Sequence, residues 1–441
     1  MKKLLLTLIS VGIVVLAAAL AFAYWPTHTR AIDAGPAADA ALVEKGRYLA
    51  YAGDCTACHT KPGGAAFAGG LPIASPLGTI YSSNITPDAE HGIGHYTLDQ
   101  FDRAVRHGIA ANGSSLYPAM PFPSYARMTD DDVRALYAYF LHGDIKPSAE
   151  PNRATDIPWP LSMRWPLAIW RKLFAPVPDA VAFDDKRYTD PKIARGAYLV
   201  QGLGHCGSCH TPRGVALQEK ALDEQAPGYL AGGQVIDGWF AVNLRGNTAD
   251  GLGRWSEQDI VDTLKTARNA HSAIVGQPMA DVAVHSTQHL SDDDLHAIAA
   301  YVKSLPATAN DPSSYTADDH TAKALQAGIN DSRGAEIYVD NCAACHRTDA
   351  NGYTRVFPAI AGNPTVLADD PTTLVRLILG GSHLPSTQAA PSPLGMPAFG
   401  DRLSDDEVAK LATFVRGNFG NHAGAVDASA VSKVRATLPK E

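Results

Sequence analysis

Hydrophobic and polar positions divide this chain into one long apolar run near the N-terminus and a series of short amphipathic stretches beyond it. Residues 4–23 are almost wholly apolar, with Lys2 and Lys3 before them and Tyr24 and Trp25 after. Ala21-Phe-Ala23 has the small-x-small form of a leader cleavage site. About 20 apolar residues also suffice to cross a bilayer, with aromatic residues at its surface. Residues 1–23 therefore read as a signal peptide or a membrane anchor, and either one exports the rest of the chain. Residues 26–40 read as a flexible lead-in.

Farther on, three stretches share one construction. Thr129-Asp-Asp-Asp, Ser291-Asp-Asp-Asp and Ser404-Asp-Asp-Glu precede the apolar-periodic residues 133–141, 295–305 and 408–415. A hydroxyl at the N-cap with acids in the first turn suits the orphan amides and the helix dipole. Leu136, Tyr139 and Phe140, and Ile298, Tyr301 and Val302, predict one buried stripe on each closing helix. Thr97-x-x-Gln100 has the form of a capping box, and Ser256 marks a corresponding helix start. No strand-like alternation of useful length appears, so the fold class is all-α.

The cysteines change the picture. Cys55-Thr-Ala-Cys58-His59, Cys206-Gly-Ser-Cys209-His210 and Cys342-Ala-Ala-Cys345-His346 together use all six cysteines of the 441-residue chain. C-x-x-C-H is the attachment motif of c-type haem. Two cysteines three apart on a helical turn project to one side, from which both sulfurs reach one porphyrin edge. The histidine that follows supplies an axial ligand to the iron. A single copy favours haem over chance or half a zinc site; three copies predict three covalently bound haem c groups and leave no cysteine for a disulfide. Haem attachment of this kind takes place outside the bacterial cytoplasm, in agreement with the leader. A formal net charge of −8 gives no sign of nucleic-acid binding.

The motifs sit in an internal repeat. Gly46 and Tyr48, Gly196 and Tyr198, and Gly334 and Tyr338 precede the three motifs, and glycines there predict close helix crossings. Asn84 and Asn243, Gly94 and Gly253, Tyr96 and Trp255, and Met120 and Met279 keep one register. The expected organisation is three consecutive cytochrome-c-type haem domains at 41–145, 191–306 and 332–420. Between them lie a Trp/Pro-rich linker at 146–190 and a plain polar linker at 307–331; a patternless, partly disordered tail is expected at 421–441.

A methionine opposite the histidine is the electron-transfer arrangement and raises the reduction potential. Met1 is the initiator and Met163 lies in the tryptophan-rich linker, which leaves Met279 and Met396 for the second and third units. For the first, Met120 matches Met279 in register and Pro118 and Pro121 stiffen its loop, whereas Met128 abuts the closing N-cap. The metal ligands so chosen are His59 and Met120, His210 and Met279, and His346 and Met396. His107, His271, His285 and His383 are the bis-histidine alternatives, at positions not equivalent across units, and His205 has no counterpart. There is no G-x-S-x-G elbow, P-loop or nucleotide fingerprint; Gly92-x-Gly94 and Gly232-Gly233 read as closely packed turns. The function that remains is one-electron relay, with no catalytic residue and no substrate-oxidising site of the chain's own.

Several pieces carry a resemblance across nearly the whole mature chain: Tyr81-Ser-Ser-Asn-Ile-Thr-Pro-Asp88, Tyr117-Pro-Ala-Met-Pro121, Trp159-Pro-Leu-Ser-Met-Arg-Trp-Pro166, His210-Thr-Pro-Arg-Gly214, Gly253-Arg-Trp-Ser-Glu257 and His285-Ser-Thr-Gln288. The chain resembles the triple-haem cytochrome c subunits of membrane-bound periplasmic dehydrogenases, above all that of the quinohaemoprotein alcohol dehydrogenase of acetic acid bacteria. Gluconate, sorbitol and fructose dehydrogenase subunits are close relatives. The resemblance implies the same axial ligands and a catalytic-subunit partner holding pyrroloquinoline quinone, flavin or a molybdenum cofactor. It also implies ubiquinone as acceptor, at the periplasmic side of the inner membrane. The alternatives are a stand-alone multihaem cytochrome feeding a terminal oxidase, and a peroxidase, which needs one haem without a methionine. The linker around Trp165 and Trp170 reads either as packing or as a segment at the membrane surface.

Overall fold

The computed structural model describes residues 1–27, 29–35, 37–308 and 315–439, in two compact units, Met1–Asp184 and Asp185–Glu441. Parts of the linker (309–314) and the end of the tail (440–441) lie outside the described residues.

In the first unit a leading helix, Ala40–Ala52, crosses a closing helix, Asp130–His142. The crossing is at Gly46, as its position before the cysteines predicts: a Cβ built there would stand 1.9 Å from the Ala135 carbonyl oxygen. The closing helix starts where the sequence places it. The Thr129 hydroxyl accepts from the Asp132 amide at 3.2 Å, and Val133, Leu136, Tyr139 and Phe140 are buried. Helix Leu98–His107 opens with the expected reciprocal capping box of Thr97 and Gln100.

Against expectation there are strands. Pro72–Ser75 pairs antiparallel with Gly78–Tyr81, with Pro72 opposite Tyr81. Strands this short carry too few residues for a period-two pattern to show. The linker is also less free than its composition suggests. Asn84 Nδ2 donates to the Ser148 and Glu150 carbonyls, and the Asp156 amide donates to the Thr79 carbonyl at 2.9 Å, so residues 148–156 lie along the hairpin. Farther on, helix Trp165–Phe174 packs against the apolar helix Lys2–Tyr24.

The second unit holds the other two copies. Helices Pro191–Gln201 and Asp292–Ser304 cross with Gly196 against the Ala297 carbonyl; Arg333–Asn341 and Asp405–Gly417 cross with Gly334 against that of Lys410. A hairpin of Gln234–Ile236 and Trp239–Ala241 repeats that of the first unit, and Ser382–His383 pairs with Gly395–Met396.

Two expectations fail here. The linker contains helix His320–Gln326, whose Leu325 joins the core around Tyr338. The tail forms helix Ala428–Arg435, capped by Asp427 and packed on helices Thr372–Gly380 and Asp405–Gly417, with Val431 fully buried. Arg435 fixes it by donating to Asp405 and to the Gly400 and Leu403 carbonyls. An eight-residue helix with a single buried anchor shows too little periodicity to be read from sequence.

Candidate cofactor sites

Each C-x-x-C-H occupies one helical turn: Cys55–His59, Gly207–His210 after Cys206, and Ala343–His346 after Cys342. No disulfide joins any of the six cysteines. Burial pushes the thiol of the first of each pair, Cys55, Cys206 and Cys342, up to about 12. Among the described residues no three of His, Cys, Asp or Glu converge as a metal cage.

The three histidines are held alike. His59 Nδ1 lies 2.7 Å from the Ser83 carbonyl oxygen, His210 Nδ1 2.8 Å from that of Val242, and His346 Nδ1 2.9 Å from that of Pro358. A neutral imidazole carries one N–H. Donated from Nδ1 to a carbonyl, it leaves Nε2 as a lone pair with its direction fixed. Burial lowers the pKa of all three, which keeps them neutral and able to bind a metal.

The backbone around each ring is equally specific. The amides of Gly69, Gly232 and Gly352 donate to the carbonyls of His59, His210 and His346 at 2.7, 2.7 and 3.1 Å. All three glycines have positive φ, at +73°, +69° and +61°, and each lies against backbone within one residue of the carbonyl that holds the ring. In the first two repeats the hairpin sets that acceptor in place. The asparagine after it then pins the turn: Asn84 Oδ1 accepts from the Thr86 amide, and Asn243 Oδ1 from that of Arg245.

Sequence reading missed the carbonyls of Ser83, Val242 and Pro358, because an acceptor on the backbone has no residue signature. It took Gly232-Gly233 for a packed turn and passed over the matching Gly69-Gly70. The doublet stands 10 residues after His59 but 22 after His210, so no fixed offset marks it; what the two copies share is a place just before the hairpin strands Pro72–Ser75 and Gln234–Ile236.

The methionines are placed as follows. Met120 is half-buried in a turn, its amide donating to the Tyr117 carbonyl at 3.1 Å, just before helix Phe122–Tyr125. Met128 is fully buried, at 3% exposure, as a core residue. Met279 lies on helix Gln277–His285 rather than in a loop, half-buried against Ile274, Ala280 and Ala283. Met396 lies on the strand opposite Ser382. Of the histidine alternatives, His107 is buried beside Asp102 at 3.7 Å, while His271 and His383 are exposed.

The residues fit a covalently attached haem. There are paired cysteines on one turn, a neutral imidazole with Nε2 left open, and a buried Tyr117 hydroxyl in the methionine loop with no hydrogen-bond partner. Cys55, Cys58, Cys206, Cys209, Cys342 and Cys345 would hold the porphyrin edge, and His59, His210 and His346 the iron.

Comparison with known proteins agrees. Residues 41–140 and 330–415 match the family "Cytochrome C oxidase, cbb3-type, subunit III", and residues 193–306 match "Cytochrome c". The chain is 55% identical over 402 residues to the gluconate 2-dehydrogenase cytochrome c subunit of Pantoea cypripedii, covering 90% of each chain. It is 54% identical over 405 residues to the cytochrome c subunit of the quinone alcohol dehydrogenase of Komagataeibacter europaeus, covering 91% of this chain and 86% of that one. Identity to the fructose dehydrogenase cytochrome subunit of Gluconobacter japonicus is 41% over 414 residues, covering 89% and 82%.

Proposed function

We infer the function from one premise, that the chain belongs to the family of cytochrome c subunits of alcohol, gluconate and fructose dehydrogenases. It is an electron-transfer protein that binds haem c covalently. The finer reading is ours: the chain carries three haem c groups and relays electrons from a dehydrogenase catalytic subunit, acting on an alcohol or a sugar, to ubiquinone. It does so at the periplasmic face of the inner membrane. The catalytic subunit belongs to the pyrroloquinoline quinone, flavin or molybdenum type. The chain forms three haem domains, at 41–145, 191–306 and 332–420.

Haem c supplies a one-electron Fe(III)/Fe(II) couple. The chain's own part is to fix and bury that group. Two cysteines per motif tether it, and His59, His210 and His346 present Nε2. Met120, Met279 and Met396 would supply thioether ligands. The threefold imidazole-to-carbonyl hydrogen bond carries this reading, because it prepares the same kind of ligand three times.

A haemochrome assay on denatured protein tests it, with three non-extractable haems per chain as the expected result and two as the refutation. Replacing Met120, Met279 or Met396 by alanine should lower one potential each, while Met128→Ala should lower none. A second reading, a multihaem cytochrome that serves an oxidase, draws on the family matched at 41–140 and 330–415. Co-purification from membranes with a large dehydrogenase subunit, rather than with an oxidase, decides between them.

A further inference from the structure

The second and third repeats share the unit Asp185–Glu441, and contacts between them fall beside the ligands. Phe240 lies on the hairpin strand Trp239–Ala241, and its amide donates to the Thr373 hydroxyl at 2.7 Å. Thr373 is buried and belongs to helix Thr372–Gly380 of the third repeat. Two residues past Phe240, the Val242 carbonyl accepts from His210 Nδ1 at 2.8 Å. One turn farther along the same helix, the Arg376 guanidinium stands 5.1 Å from the centre of the Trp239 ring. Trp239 in turn lies against Gly276, where a Cβ would be 3.2 Å from the indole. Gly276 is the N-cap of helix Gln277–His285, which carries Met279. One helix of the third repeat thus reaches both sides of the second site.

We propose that helix Thr372–Gly380 positions the ligands of the second haem. Thr373 fixes the strand that aims His210, and Arg376, through Trp239, supports the helix that carries Met279. Part of the potential of the second haem is then set by residues of the third repeat. This rests on the ligand reading above and adds residues outside the repeat that act on it.

The hairpin needs outside support. Its strands are three residues each, and an isolated two-stranded hairpin is marginal in water. An amide on a strand edge also needs a partner when buried. In the first repeat the corresponding strand, Gly78–Tyr81, is held by the chain that follows it, with the Asp156 amide donating to the Thr79 carbonyl. In the second repeat Thr373 takes that part, from another repeat. The dependence also runs the other way. The Ala359 amide donates to the His271 carbonyl at 2.8 Å, one residue past the Pro358 carbonyl that holds His346. Ser382, paired with Met396, donates from its hydroxyl to the Val275 carbonyl at 2.9 Å. Contacts that served only to glue two repeats together have no reason to gather next to a histidine acceptor and a methionine element in both directions.

The test is a redox titration of full-length holoprotein, with each step assigned by the Met120→Ala, Met279→Ala and Met396→Ala variants. Thr373→Val keeps the size of the side chain and removes the acceptor. With the strand released, the Val242 carbonyl holds the imidazole less firmly, His210 becomes a weaker donor to iron, and the ferric state loses stabilisation. The step that Met279→Ala lowers is expected to move up, while the step assigned to Met120 stays. Arg376→Gln removes a half-buried positive charge and loosens the support of the Met279 helix, so the same step should move down. Thr373→Ser and Arg376→Lys should keep the wild-type value. Opposite shifts of one step, each rescued by the conservative variant, are not produced by loosened packing. A haemochrome count of three on each variant establishes that attachment survives; if Thr373→Val loses haem, Arg376→Gln against Arg376→Lys decides. A shift confined to the step assigned to Met396, an equal shift of all three, or a lower melting temperature with no step moved overturns this inference and leaves the ligand reading standing. If Met279→Ala itself moves no step, the ligand reading falls and this inference with it.

Discussion

Gly196 faces the carbonyl oxygen of Ala297 so closely that a Cβ on it would stand 1.9 Å from that oxygen. The leading and closing helices of that repeat touch backbone to backbone, and a side chain of any size must part them. Gly196→Ala is expected to destabilise the protein by about 1–3 kcal/mol, the usual range for overpacking a tight core. Denaturant midpoints measure it. Gly228→Ala, with nothing within 4 Å of its new methyl, should stay near wild type.

Gly69 combines two constraints, a φ of +73° and a prospective Cβ 2.4 Å from the Ser83 carbonyl carbon. Gly69→Ala should push that carbonyl off His59 Nδ1 and change the potential of the first haem in a redox titration. Gly63→Ala is the control. It has a φ of +71° but no atom within 4 Å, so it should cost stability and leave the potential unmoved.

The second repeat buries a polar cluster. The Tyr301 hydroxyl donates to Glu224 at 2.8 Å and accepts from Gln201 Nε2 at 2.9 Å, and Tyr188 donates to the same carboxylate at 2.8 Å. Tyr301→Phe removes one bridge, while Glu224 and Gln201 keep Tyr188 and each other as partners. A loss of about 0.5–1.5 kcal/mol is expected. A loss below 0.5 kcal/mol in urea unfolding would show, against about that threshold for ordinary surface changes, that the cluster is not coupled to stability.

Glu407 gives a pH signature. Arg333 donates to it at 2.6 Å, and the Ser404 amide and hydroxyl reach its other oxygen at 3.1 and 3.0 Å. Arg333 first, and then Ser404, hold its carboxyl at about 2 against an ordinary 4.5. The folded value lies below the unfolded one, so this contribution is complete above pH 4.5 and fades as the pH falls toward 2. Glu407→Gln should lower the melting temperature at neutral pH and converge with wild type toward pH 2. Parallel curves across that range would contradict the assignment.

What the sequence disclosed was whatever recurs or caps. Gly46, Gly196 and Gly334 announced their helix crossings because they repeat before the cysteines. Thr129, Ser291 and Ser404 announced the closing helices because hydroxyl followed by acids has one good use. The hairpins did not show, since strands of two to four residues carry no readable period. The tail helix did not show either, because its order comes from Val431 fitting a core made by distant residues. Met279 matches Met120 in register yet lies on a helix, packed against Ile274 and Ala283, where Met120 lies in a turn. The linker's bonds from Asn84 to Ser148 and Glu150 are long-range and leave no trace in local composition.

The partner of each motif imidazole is a carbonyl, and the residues that provide it are Ser83, Val242 and Pro358, three side chains with nothing in common. Such an acceptor belongs to the path of the chain and not to its alphabet. Point substitution at those positions cannot delete it. A change of side chain there leaves the acceptor in the backbone, and the tuning of the three histidines resides in shape. In this protein the most specific instruction to the ligands is therefore kept where a letter-by-letter comparison of the repeats would not look, in loops whose spelling is free and whose curvature is not.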